Sequence, residues 1–133
     1  MLTAYIDGGS RGNPGPAGYG VRLVDEQGRV VDELRQSIGV TTNNVAEYQG
    51  LIAALRYGAA AGHRAMRIRS DSQLLVRQML GQYRVKHAGL QPLHREAQSL
   101  AASFDRVEFE HVPRAENADA DRLANLAMDD AAG

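Results

Sequence analysis

The spacing of apolar residues along this chain switches back and forth between two periods. Leu2, Ala4 and Ile6 alternate with Thr3 and Tyr5, and Tyr19, Val21 and Leu23 alternate with Gly20 and Arg22. Val30, Leu34, Ile38 and Val40 share one parity and predict a third strand with one polar face. A short turn over 25–28 precedes it, so these three strands are expected to be antiparallel neighbours. The period then becomes helical through Val45, Tyr48, Leu51, Ile52 and Leu55. Asn44 and Glu47 form a capping box at its start, and Gly62 marks its end. Met66 and Ile68 predict a strand over 65–70, and a short helix follows as far as Gly81. Residues 83–89 read as a loop. Leu90, Leu93, Ala97, Leu100 and Phe104 mark another helix, with Pro92 in its first turn. A fifth strand covers 106–112. Ala120, Leu123, Ala124 and Ala127 mark a last helix from Asn117 or Ala118, and the tail over 129–133 is expected to fray. The order βββαβααβα predicts an α/β fold: a mixed five-stranded sheet flanked by helices.

Composition narrows the function classes. The chain reads as one domain over 1–133, standing alone or excised from a longer chain. It has no cysteine, which excludes disulfides, thiolate metal sites and thiol nucleophiles. No apolar run approaches a membrane span, and no basic-then-apolar leader opens the chain, so a cytoplasmic monomer with no membrane partner is expected. The formal net charge of -1 argues mildly against a strongly basic nucleic-acid binder.

The chemistry is expected where four carboxylates fall on element ends. Asp7 closes the first strand, Glu47 lies in the first turn of the first helix, Asp71 follows the fourth strand, and Asp121 opens the last helix. In open sheets, ligand sites gather at the carboxyl ends of strands. Four like charges brought together repel unless cations bridge them. Hard divalent cations take oxygen ligands. Two of them about 3.5–4 Å apart clamp the attacking and leaving oxygens of a phosphodiester. Each acid also has a plainer use: Asp7 in a turn, Glu47 in the capping box, Asp71 as an N-cap, and Asp121 against the helix dipole.

Sequence context favours the joint use. The blocks "IDGGSRGNPGPAGYG", "TTNNVAEYQGLIAAL", "RSDSQLLVRQM" and "ENADADRLANLA" resemble, in order, the four signature blocks of type 1 ribonuclease H. The resemblance covers nearly the whole chain, and its fold is the predicted βββαβααβα. It implies endonucleolytic hydrolysis of the RNA strand of RNA–DNA hybrids, leaving 5′-phosphate and 3′-hydroxyl ends. It further implies two Mg²⁺ or Mn²⁺ ions held by Asp7, Glu47, Asp71 and Asp121, with Glu47 also touching the ribose 2′-hydroxyl. Asn13, Asn43 and Asn44 match positions that read the hybrid's minor groove, and Thr42 matches a phosphate pocket for the DNA strand. Gly8, Ser10 and Ser72 fall among the substrate-contacting positions. Gly8, Gly9 and Gly12 would let backbone approach ribose. Double-stranded RNA is a second candidate partner.

Two departures from the best-known bacterial pattern carry expectations. In place of a basic, tryptophan-bearing protrusion the chain has only "GQYRVKHAG", so it resembles the short form of the family and a weaker grip on substrate is expected. The histidine that many members carry on a flexible loop before the last aspartate has no clear counterpart. His111 continues the parity of Val107 and Phe109 and is expected to pack against the sheet. Arg114 is expected to reach the site and to act electrostatically, because arginine stays protonated. His63, His87 and His94 are expected to be solvated. Two alternatives stay open. One is a four-carboxylate exonuclease of the proofreading type, which expects D-x-E where Gly8 and Gly9 follow Asp7. The other is a catalytically silent module binding hybrid or double-stranded RNA, against which the four acids count.

Overall fold

The computed structural model describes the backbone of residues 1–132 and the side chains of residues 1–130. Five strands form one sheet: β1 (Leu2–Ser10), β2 (Gly15–Val24), β3 (Val30–Thr41), β4 (Ala65–Ser70) and β5 (Arg106–His111). Their spatial order is β3-β2-β1-β4-β5. The first three are antiparallel neighbours, and β4 and β5 run parallel to β1. The helices are α1 (Asn43–Ala60), α2 (Gln73–Met79), α3 (Gln91–Ala102) and α4 (Ala118–Ala132), with a 3₁₀ turn over Arg114–Asn117 before α4. This is the predicted element order and fold class. No helix among the described residues is long and apolar enough to cross a membrane.

The core lies between the sheet and α1, with α2 and α3 closing its far side. Leu2, Ala4 and Ile6 of β1, Val21 and Leu23 of β2 and Met66 and Ile68 of β4 meet Leu51, Ile52 and Leu55 of α1. Gly58 of α1 sits against Met66: a Cβ there would lie 2.2 Å from the Met66 sulfur. Helix α4 packs on the opposite face, over β1, β2 and β3.

Several boundaries differ from the sequence reading. The glycine-rich stretch after Ile6 is strand as far as Ser10, because β2 continues to pair with it down to Ser10 opposite Ala17. The cap of α1 is Thr42, whose Oγ1 accepts from the Val45 N–H at 3.3 Å; Asn44 lies inside the first turn and forms no capping box. Ser72, not Asp71, caps α2, with its Oγ accepting from the Leu75 N–H at 3.2 Å. Val30 and Val40 are exposed, since β3 is an edge strand and register shifts in its pairing with β2 break the parity. The tail is helical through Ala132, and Gly133 lies outside the described residues. His94 is half-buried rather than solvated: its ring meets Tyr48 edge-on at 6.2 Å and its Nε2 lies 3.3 Å from the Gln78 carbonyl.

Candidate active site

Two glycines bring three elements together around Asp7. On the α1 side, a Cβ on Gly8 would lie 2.4 Å from the Ala46 carbonyl carbon and 2.6 Å from the Glu47 nitrogen. On the α4 side, Gly20 pairs with Asp7 in the sheet, and a Cβ there would lie 2.4 Å from Leu123 Cβ. Neither approach is possible with a side chain, so the glycines let α1 deliver Glu47 and α4 deliver Asp121 to the strand that carries Asp7. β4 pairs with β1 only as far as Ser70 opposite Ile6, and the chain turns away at Asp71. Asn117 pins the remaining corner. Its side chain is 1% exposed, and its Nδ2 donates to the Ile6 carbonyl at 2.8 Å, one residue before Asp7.

One carboxylate oxygen from each of Asp7, Glu47 and Asp71 lies within 4.8 Å of the other two. Burial, then the charges of Asp71 and Asp121, push the Asp7 carboxyl up to about 7. Burial and the charges of Asp7 and Asp71 raise Glu47 well above the usual carboxylate range. Asp71 is raised by burial and by Asp121, with Arg114 and His111 pulling the other way. Glu47 Oε2 is buried with no hydrogen-bond partner. A buried unpaired carboxylate oxygen is costly, and so is a like-charge cluster. Both costs fall away if a hard cation sits among these oxygens, so the donor set fits a divalent metal such as Mg²⁺ or Mn²⁺.

The cluster opens into a cleft of about 540 Å³. Gly8, Gly9, Ser10 and Asn43 line one wall, and Ser72, His111, Pro113 and Arg114 line another. Arg114 Nη2 lies 3.9 Å from Asp121 Oδ1, with its side chain 83% exposed.

The comparisons decide the family. A family model described as "Reverse transcriptase-like" matches residues 5–127. A bifunctional protein of Mycobacterium tuberculosis, Rv2228c, is 54% identical over 132 residues, covering 98% of this chain and 36% of that protein. The ribonuclease HI of Halobacterium salinarum is 47% identical over 130 residues, covering 98% of this chain and 65% of that protein. The solved structure of LC11-RNase H1 in complex with an RNA/DNA hybrid superposes with a TM-score of 0.94 at 42% identity, covering 100% of both chains. This chain belongs to the ribonuclease H family. It spans little more than a third of the mycobacterial relative and about two thirds of the halobacterial one.

Against that family, the expected site residues divide into two groups. Asp7, Glu47, Asp71, Asp121, Gly8, Ser10, Asn43, Ser72 and Arg114 line one cleft. Asn13, Thr42 and Asn44 do not line it. Asn13 supports it instead, with its Oδ1 accepting from the Asn43 N–H at 3.0 Å. Asn43 Oδ1 in turn accepts from the Ser10 N–H at 2.8 Å and from the Ser10 hydroxyl at 3.1 Å. His111 corrects the sequence reading. It ends β5 opposite Ser70, is exposed and lines the cleft, because the strand outruns the helices that would have covered its side chain. Arg11, Asn125 and Met128 also line the cleft and were not foreseen. Asn125 stands one helical turn after Asp121, and that i+4 spacing was the signal for it.

Proposed function

We propose that this chain cuts the RNA strand of RNA–DNA hybrids internally, leaving 5′-phosphate and 3′-hydroxyl ends, with two divalent ions, Mg²⁺ or Mn²⁺, held by Asp7, Glu47, Asp71 and Asp121. The observation that carries this reading is the uncompensated carboxylate cluster, with its orphaned Glu47 oxygen, at the floor of an open cleft. Family membership and the relative solved on a hybrid support the choice of substrate. When bound, the ions supply a nucleophilic water at neutral pH and neutralise charge on the phosphate.

The chain's own groups supply the rest. Glu47 stands where α1 presses on β1, so it is placed to meet the ribose 2′-hydroxyl and favour RNA at the cut. Asn43 Oδ1 is already occupied by Ser10, which leaves the side-chain NH₂ as the free end. That group can donate to a 2′-hydroxyl or to a base-edge acceptor in the wide, shallow minor groove of an A-like duplex. Arg114 stabilises negative charge on the phosphate in the transition state. His111, exposed beside Asp71 on the same wall as Arg114, is placed to contact the substrate.

The test is to incubate the protein with end-labelled hybrid, double-stranded RNA and each single strand, in Mg²⁺, Mn²⁺ or EDTA. The expected outcome is internal cleavage of the RNA strand of the hybrid, with either metal and not in EDTA. Cleavage that persists in EDTA, or an intact hybrid with both metals, overturns the proposal.

A further inference from the structure

Of the fourteen arginines, two line the acidic cleft: Arg114, and Arg11 at the turn between β1 and β2. Arg11 is held by α4 at one corner of its guanidinium. Its Nη2 lies 2.9 Å from Asp129 Oδ1, 3.1 Å from Asn125 Oδ1 and 3.4 Å from the Asn125 carbonyl. Asn125 is itself fixed, because its Nδ2 donates to the Asp121 carbonyl at 2.8 Å. All three acceptors engage the same nitrogen. Among the described residues no acceptor meets Nη1 or Nε, and the side chain is 45% exposed. The plane of the fork is thus set in advance while most of its donors stay available.

We propose that Arg11 binds a phosphate of the hybrid other than the scissile one. This rests on the function proposed above and adds a substrate-binding residue to it. A planar guanidinium with free donors matches two phosphate oxygens at once, which a lysine ammonium does not. Holding the fork before substrate arrives lowers the cost of ordering it. The Asp129 pair is no obstacle, because that carboxylate is 59% exposed and an ion pair in water is weak. A fixed cation on the rim also answers an electrostatic problem. The floor of the cleft is acidic, and an incoming polyanion needs positive charge beside it.

The test uses Asp71→Asn protein in Mg²⁺, so that a fluorescent hybrid binds without being consumed, titrated across a salt series. Arg11→Ala in that background is expected to weaken binding about 10-fold. It is also expected to lower the slope of log Kd against log salt by about one, the signature of one lost phosphate contact. Arg11→Lys should restore the slope and only part of the affinity. If Arg11 merely pins α4 to the turn, the alanine variant melts at a lower temperature but binds with the parent's salt slope, and that result overturns the inference. If the parent itself does not bind hybrid, the proposed function fails as well. A parent that binds while Arg11→Ala matches it in affinity and slope removes the inference alone.

Discussion

Acidic side chains gather in two places on this sheet, one face of β5 and the cleft lined by Asp7, Glu47, Asp71 and Asp121, and their surroundings could hardly differ more. On the face turned away from the apolar core, Glu108 and Glu110 are met by arginines at every step. Arg67 Nε lies 3.2 Å from Glu108 and 3.1 Å from Glu110, Arg69 Nε lies 3.0 Å from Glu110, and Arg106 Nη2 lies 3.2 Å from Glu108. Arg69 also donates to the Tyr5 hydroxyl at 2.6 Å. In the cleft, Asp7 of β1, Glu47 of α1 and Asp71 after β4 face one another, and among the described residues the one ion pair made by any of the four cleft carboxylates is the loose one between Arg114 and Asp121. A chain with fourteen arginines does not lack cations to place there. Leaving the cluster unmatched costs stability, and proteins accept that cost where charge has work to do on a ligand. The ladder is a fastening between strands; the cluster is held ready for something that is not protein.

The largest expected difference between the two regions is in turnover. Asp71→Asn removes one charged ligand while keeping the side-chain shape. Hydrolysis of a hybrid should fall by more than about 1000-fold, beyond the loss typical of a single electrostatic donor. Circular dichroism and thermal midpoint should show a folded protein. Glu110→Gln, the matching change in the ladder, should leave turnover within about twofold. Comparable losses from both variants would erase the distinction drawn between the regions.

The four carboxylates were legible because their spacing and neighbouring residues are unusual as a set, even though each alone has an ordinary structural use. What the sequence hid were decisions made by partners far along the chain. The strand through Gly8 and Gly9 was unreadable as strand because glycine carries no strand preference, and only the pairing with 17–20 of β2 makes it one. His111 shares the parity of Val107 and Phe109, but parity predicts burial only while something covers the strand. The cap of α1 was misplaced because Thr42, Asn43 and Asn44 are all good caps, and choosing among them is a one- or two-residue question. Asn117 gave no local signal, since its partner is the Ile6 carbonyl at the other end of the chain.

The next effects come from the two basic groups on the cleft wall. His111→Ala should lower kcat by about 100-fold with the thermal midpoint unchanged, as expected for loss of a polar group held on the cleft wall beside the reacting phosphate. Arg114→Ala should lower kcat by about 10- to 100-fold, the loss of one electrostatic donor. Steady-state kinetics alongside melting curves check both. A drop in melting temperature for His111→Ala without loss of kcat would return that residue to a packing role.

A smaller effect sharpens the electrostatic half of the comparison. The folded Asp7 carboxyl titrates near 7, against an ordinary value of 3.8, so between those values the folded chain keeps a proton that the unfolded chain has released. This group's contribution to stability is therefore full below about pH 4 and is lost as pH rises toward 7. In EDTA, Asp7→Asn should melt higher than the parent, with a gap that widens from pH 5 to pH 7 and then levels off. Mg²⁺ should raise the parent's midpoint at pH 8 and narrow the gap, since ligands that bind only the folded state stabilise it. A gap independent of pH, or parent and variant equally stabilised by Mg²⁺, would show that Asp7 is not an uncompensated charge.

The smallest effect is expected from the ladder itself. Glu108 touches both Arg67 and Arg106, so Glu108→Gln removes two ion pairs at once while leaving a hydrogen-bonding side chain in place. Each partner is a third or more exposed, so water already screens much of the attraction and competes for the same donors. Exposed pairs of this kind contribute about 0–1 kcal/mol each. Chemical denaturation should therefore show a loss of no more than about 2 kcal/mol for the two pairs together, diminishing further in high salt as screening removes what remains. Turnover and the Mg²⁺ dependence of melting should not move. The contrast with Asp7→Asn is one of sign: removing a charge from the matched ladder destabilises slightly, whereas removing one from the metal-free cluster stabilises. If Glu108→Gln instead raised the midpoint, the arginines of β4 and β5 would not be compensating the glutamates, and the two regions would differ in position rather than in charge balance.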